Sequence, residues 1–266
     1  MIRNLLYLLI ILFSVEAQAQ TPQVVAQVID VPTRASVTQR ILLLQPATTT
    51  PAKAVVILFA GGDGGIQIGA SGDIKRSGNF LVRSRELFAA QGLAVMVFDA
   101  PSDRQEPPFM DNFRQTAEHV SDIKATIAWA RRELKLPVWL IGTSRGTQSV
   151  AYAATQLPLA EGGPDGIVLT SSILFDRRSR PVPSMALDRI NVPVLVAHHR
   201  LDSCRACQIS DLPNLTSKLK HLKRTETLVF DGGDSVGDPC EARAYHGYNG
   251  IEAEVVAKIA AWITAN

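Results

Sequence analysis

Continuous apolar runs alternate with stretches of helical periodicity along most of this chain. Residues 54–59 (Ala-Val-Val-Ile-Leu-Phe), 93–98, 137–141, 166–170 and 192–197 are apolar at nearly every position. A strand covered on both faces needs that pattern, because neither side meets water. Between the runs, apolar residues recur at helical spacing over 81–90, 113–134, from just after Ser144 to about Gln156, in a basic stretch near 212–222, and over 251–263. Residues 226–230 read as a further strand. Residues 36–45 begin by alternating polar and apolar, which predicts a half-exposed strand with 23–31 as its hairpin partner. Residues 48–51 are turn material. Buried strands separated by helices predict an α/β architecture, a doubly wound and mostly parallel twisted sheet with helices on both faces. Ligands of such sheets collect outside the carboxyl ends of the strands.

The first residues follow a different pattern. Arg3 precedes the apolar run 5–13, and a polar stretch then carries the Ala-x-Ala of Ala17 and Ala19. That is the layout of a secretory signal peptide, cleaved after Ala19. The run is far shorter than the roughly 20 residues that span a bilayer, so no stable membrane anchor is expected. Residues 1–19 are therefore read as an export signal, and 20–266 as a single domain. The whole chain of 266 residues is 46% apolar and 20% charged, enough for one sizeable core. A net charge of +2, with both signs interspersed, gives no footprint for nucleic acid or a membrane surface. Export to a periplasmic or extracellular space also bears on the three cysteines, Cys204, Cys207 and Cys240, since an oxidising compartment favours a disulfide.

Chemistry gathers where the apolar runs end. The run to Ile141 continues into Gly142-Thr143-Ser144-Arg145-Gly146, a G-x-S-x-G at a strand-to-helix turn. Such an elbow lifts a serine hydroxyl towards substrate. Serine needs a base, and the base needs a third group to orient it. Of five histidines, His119 falls inside a helix, His221 on a lysine-rich face, and His198 and His199 at a strand end, where a structural role fits them. His246 lies in a glycine-rich loop before the last helix and is the candidate base. Asp202, just past the 192–197 strand, is the candidate acid; its rival Asp176 is followed by Arg177 and Arg178, and a salt bridge would account for it. The strand ending at Phe59 runs into Ala60-Gly61-Gly62-Asp63-Gly64-Gly65, a loop free to aim N–H groups at a developing oxyanion. The amides of Arg145 and Gly62 are the expected donors, with Asp63 the alternative to Gly62 and its carboxylate turned away. Activity should then rise with pH as His246 loses its proton.

If Asp202 and His246 touch, their loops lie side by side, which predicts a Cys204–Cys240 disulfide, with Cys207–Cys240 the next choice. Phe109 and Met110, in the loop after residue 98, are candidate pocket walls, though burial beneath the loop would suit them as well. The Arg145 side chain is left to pair with a nearby acid or to read an anionic group on the substrate.

The order Ser144, Asp202, His246, with the elbow between strand and helix, resembles the α/β-hydrolase family over residues 36 to the end. The outline is similar to its small lidless serine esterases, such as dienelactone hydrolases and polyester-degrading esterases. The resemblance implies about eight strands, no large lid, and hydrolysis of a small-molecule ester or related acyl compound through an acyl-enzyme, with no metal or other cofactor. Two departures stand out: Ala60-Gly61 replaces the usual His-Gly of the oxyanion loop, and Arg145 follows the nucleophile. A peptidase, thioesterase or acyltransferase would use the same residues. Outside that class stand a binding module that kept the fold, and a redox or zinc protein built on Cys204-Arg205-Ala206-Cys207.

Overall fold

The computed structural model describes residues 24–46 and 51–265; the expected signal peptide, the first residue of the hairpin and most of the 48–51 turn lie outside them. Eight strands form one sheet: β1 (Val24–Arg34), β2 (Val37–Pro46), β3 (Val55–Phe59), β4 (Ala94–Pro101), β5 (Val138–Thr143), β6 (Gly166–Thr170), β7 (Val194–His199) and β8 (Thr225–Phe230). Their order is β1-β2-β4-β3-β5-β6-β7-β8, and only the β1–β2 and β2–β4 pairings are antiparallel. The expected hairpin is thus the antiparallel edge of an otherwise parallel sheet.

Side chains alternate across a strand, so each central strand feeds two cores. Val55, Ile57 and Phe59 face one side, together with Ile123, Ile127 and Ala130 of α3 (Ala117–Leu134) and Val150 and Ala151 of α4 (Gly146–Gln156). Val56 and Leu58 face the other, against Phe80 and Leu81 of α1 (Phe80–Arg83), Phe88 of α2 (Arg85–Ala90), and Val255 and Ile259 of α6 (Glu252–Thr264). This two-sided burial is why β3, β4, β5 and β6 read as unbroken apolar runs.

Three helices differ from their sequence pattern. The 81–90 segment breaks at Ser84 into α1 and α2. The 113–134 segment turns helical only after Thr116, whose hydroxyl caps the His119 N–H. The basic stretch near 212–222 contains only the short α5 (Leu212–Thr216), continued as a 3₁₀ turn. The interval between β6 and β7 holds two 3₁₀ turns and no lid helix.

Candidate active site

Ser144 sits between β5 and α4 with φ +51°, a left-handed conformation that a side-chain-bearing residue adopts only when its surroundings impose it. The flanking glycines supply that constraint. A Cβ on Gly142 would lie 2.5 Å from the Gly146 carbonyl oxygen, and one on Gly146 would lie 2.1 Å from that of Phe59. The turn closes because both lack side chains. The Ser144 N–H is held by the Thr170 carbonyl at 3.1 Å, and its own carbonyl accepts the Thr147 hydroxyl at 2.6 Å.

Asp202 follows β7 and is buried. Its carboxylate accepts the Cys204 N–H at 3.0 Å and the His246 Nδ1–H at 2.9 Å. That bond puts the proton on Nδ1 and leaves Nε2 as the free acceptor. Nε2 is buried without a partner, and His246 lines the same cavity of about 270 Å³ as Ser144, Gly61, Gly62 and Asn79. His198 stands 3.6 Å from the same Asp202 oxygen and donates Nε2–H to the Cys207 carbonyl at 2.7 Å. Burial lowers its pKa, with Asp202 pulling the other way. His199 is satisfied at both ring nitrogens, by the Gly232 carbonyl and the Leu201 N–H.

The 61–65 loop after β3 closes over the serine: a Cβ on Gly61 would lie 2.9 Å from Ser144 Cβ. Gly62 has φ +58° and faces solvent. The Asp63 carboxylate turns aside, as expected, to cap the Gly65 N–H at 3.2 Å and pair with Arg76 at 2.6 Å. Arg145 and Asp176 account for each other at 2.8 Å. Burial works to raise the Asp176 pKa, but bonds from Ser179, the Arg178 N–H and Arg145 outweigh it and hold it low.

The disulfide joins Cys204 to Cys240, with Cα atoms 4.5 Å apart, and Cys207 remains a buried thiol whose pKa burial pushes up. The Cys204 and Cys207 sulfurs and a His246 ring nitrogen all lie within 4.8 Å of one another. With Cys204 bonded to Cys240, the C-x-x-C is not a redox pair in this state. Phe109 and Met110 are the candidate pocket walls. Both are buried in a small cluster with Ala100 and Phe113, where Phe109 packs on Gly65 and Met110 on Gly64. Their loop folds inward beneath the 61–65 turn, so they support the floor of that turn; neither lines a cavity that contains Ser144, and Met110 lines instead a hollow beside Arg145.

Three supporting residues had no signal in the sequence. Arg114 is buried, and burial pushes its guanidinium down to about 10, still protonated at neutral pH. It donates to the Ala60 and Gly62 carbonyls, both at 3.1 Å, and to the Ser149 hydroxyl of α4 at 3.0 Å. Asp99 accepts four backbone N–H groups, those of Ile66, Gln67, Ile68 and Ala100, at 2.8–3.1 Å. Tyr248, fully buried, donates its hydroxyl to the Ala197 carbonyl at 2.8 Å and accepts the Ser171 N–H at 3.2 Å, which ties the histidine loop to β7 and to the end of β6.

No protein-family model and no curated protein matches the chain. Solved structures do. A candidate dienelactone hydrolase of Klebsiella pneumoniae superposes with TM-score 0.63 at 15% identity, over 92% of this chain and 100% of that one. An esterase of Pyrococcus furiosus gives 0.62 at 14% identity, over 95% and 96%. An α/β serine hydrolase without a lid from Xanthomonas campestris gives 0.56 at 13% identity, over 88% and 94%. The chain has the α/β-hydrolase fold.

Proposed function

We propose that this chain is an exported serine hydrolase that cleaves carboxylic esters or related acyl compounds. One observation carries the reading: the Asp202–His246 pair leaves a buried, unpartnered Nε2 on a histidine that lines the same cavity as a positive-φ serine. Nε2 takes the Ser144 proton as Oγ attacks the acyl carbon, and Asp202 keeps His246 in the productive tautomer and steadies the imidazolium that forms. The N–H groups of Arg145 and Gly62, with Asp63 the alternative to Gly62, receive the oxyanion; each such donor contributes on the order of 3 kcal/mol in the transition state. His246 returns the proton to the leaving alcohol, and water then releases the acyl group by the same steps in reverse. The structural neighbours named as esterases support the ester class. Export rests on the leader pattern together with the disulfide, and no helix among the described residues is long and apolar enough to cross a membrane.

The test is a fluorophosphonate label located by peptide mapping, paired with a broad ester panel run on wild type and Ser144→Ala. Labelling of Ser144 and Ser144-dependent ester turnover are expected. An unlabelled, folded wild type would instead favour a binding module that kept the fold.

A further inference from the structure

Ser144 borders a second cavity, larger than the first at about 620 Å³ and with a different character. Gly62, Ser144 and Arg145 line it together with Arg177, Arg178 and Arg205. A hollow of about 340 Å³ shares Arg145 and Arg178 with it, adds Arg180, and is also lined by Met110 and one acid, Asp111. The arginines come from two loops, one after β6 and one after β7, both at the carboxyl ends of the sheet.

The β6 loop presents its arginines because its other polar groups are committed inward. Asp176 accepts Arg145 at 2.8 Å, the Ser179 hydroxyl at 2.6 Å and the Arg178 N–H at 3.0 Å. From α4, Gln148 donates to the Ser179 hydroxyl at 2.8 Å and to the Arg180 carbonyl at 2.9 Å, and Gln115 donates to that carbonyl as well. With the backbone fixed, the side chains of residues 177, 178 and 180 project outward and are exposed. Among the described residues, no carboxylate lies within 4 Å of the guanidinium groups of Arg177, Arg178, Arg180 or Arg205. Two acids line the larger cavity, Glu241 and Asp176, and Asp176 is already neutralised by Arg145. Elsewhere most arginines at the surface find a carboxylate, as Arg34, Arg40, Arg76 and Arg83 do.

We propose that this arginine-walled trough binds an anionic group on the molecule that Ser144 attacks, which makes the substrate an acidic ester. The inference rests on the serine-hydrolase reading and adds its substrate class. Guanidinium forks match a carboxylate in two-point geometry, and a cleft lined by one sign of charge raises the encounter rate of the opposite sign. Arg145 itself does not do the reading, because Asp176 occupies it.

Two matched pairs test the trough and locate the charge. Ethyl hydrogen adipate against ethyl hexanoate puts a carboxylate on the acyl side, and 4-acetoxybutanoate against butyl acetate puts it on the alcohol side. Acid release is followed by pH-stat in low salt and in about 0.5 M NaCl, where the screening length falls to a few ångströms. In at least one pair the charged ester should be favoured about tenfold or more in kcat/KM at low salt. That preference should shrink with salt and approach unity in Arg178→Gln/Arg205→Gln. The single variants, each of an exposed residue, should show part of the loss. A ratio near unity in both pairs at low salt, or a preference that neither salt nor the double substitution reduces, overturns the proposal while Ser144-dependent hydrolysis stands. Failure of Ser144 to take a fluorophosphonate label would remove the underlying reading, and the trough's role with it.

Discussion

Ser144 holds a strained backbone angle that only its neighbours' missing side chains permit, so its hydroxyl is displayed at the cost of local packing. Ser144→Ala should therefore abolish ester turnover while changing stability by no more than about 0.5 kcal/mol, the range of substitutions that remove no core contact. Turnover against a broad ester panel and urea denaturation decide this together, and loss of activity accompanied by unfolding would make Ser144 a structural residue. This position was legible because a motif marks it. Asp202 and His246 were legible for another reason: each follows a strand end in an order that the elbow calls for. Arg114, Asp99 and Tyr248 were not. Arg114 sits in a polar stretch, Asn112-Phe113-Arg114-Gln115-Thr116, where nothing local says that a guanidinium will be buried. Its partners are carbonyls some fifty residues away, and backbone carbonyls leave no trace in a sequence. Phe109 and Met110 carry no such mark, because an apolar pair in a loop reads the same whether it faces substrate or the underside of its own loop.

The elements that meet at the serine are fastened to one another by Arg114. One nitrogen bonds the 61–65 loop through Ala60 and Gly62, and another bonds α4 through Ser149. A buried cation without a bonded carboxylate is expensive, and here two of its three bonds hold the segment that carries Gly62, one of the two expected oxyanion donors, while the third anchors it to α4. Arg114→Gln should lower kcat by about one to two orders of magnitude, less than the roughly two to three orders that outright loss of an oxyanion donor costs, while KM moves by less than about threefold. Arg114→Lys, which keeps the charge, should recover part of kcat. Steady-state kinetics on a neutral ester checks the split, and a variant whose KM rises with kcat unchanged would assign Arg114 to ground-state binding. Element boundaries were less legible than element identity. Buried strands announce themselves because both faces are apolar, whereas helix ends depend on single caps such as Thr116 and on breaks such as Ser84, which tertiary contacts decide.

At the scale of the molecule, two features set the range of conditions in which the fold survives. The disulfide spans a sequence separation of 36 and clips the acid loop to the histidine loop. Its loss should cost roughly 4 kcal/mol by chain entropy and should also reduce activity by loosening the Asp202–His246 contact. Reduction, or the double change Cys204→Ser/Cys240→Ser, should show both effects in urea denaturation and ester assays; the double change is the cleaner one because Cys207 lies near Cys204. The second feature is a pair of histidines that burial keeps neutral. His119 has both ring nitrogens unpartnered, sits among Phe59, Phe98 and Phe113, and has its pKa driven well down by burial and then by Arg114. His198 is lowered by burial as well. In the unfolded chain each titrates near 6.5, so below that pH the unfolded state binds protons that the folded state refuses. Stability must then fall as pH falls, by up to about 1.4 kcal/mol per pH unit for each histidine. Between about pH 6.5 and 5 unfolded carboxylates are still largely ionised and contribute little to this slope. His119→Leu removes one of the two without leaving a polar partner unsatisfied, since the ring has none. Its urea midpoint should therefore decline less steeply between pH 6.5 and 5 than that of wild type, by about one proton's worth of slope, and near pH 5 the variant should be the more stable protein. Equal slopes in the two proteins would mean that His119 is protonated in the folded state and that its aromatic surroundings open to water.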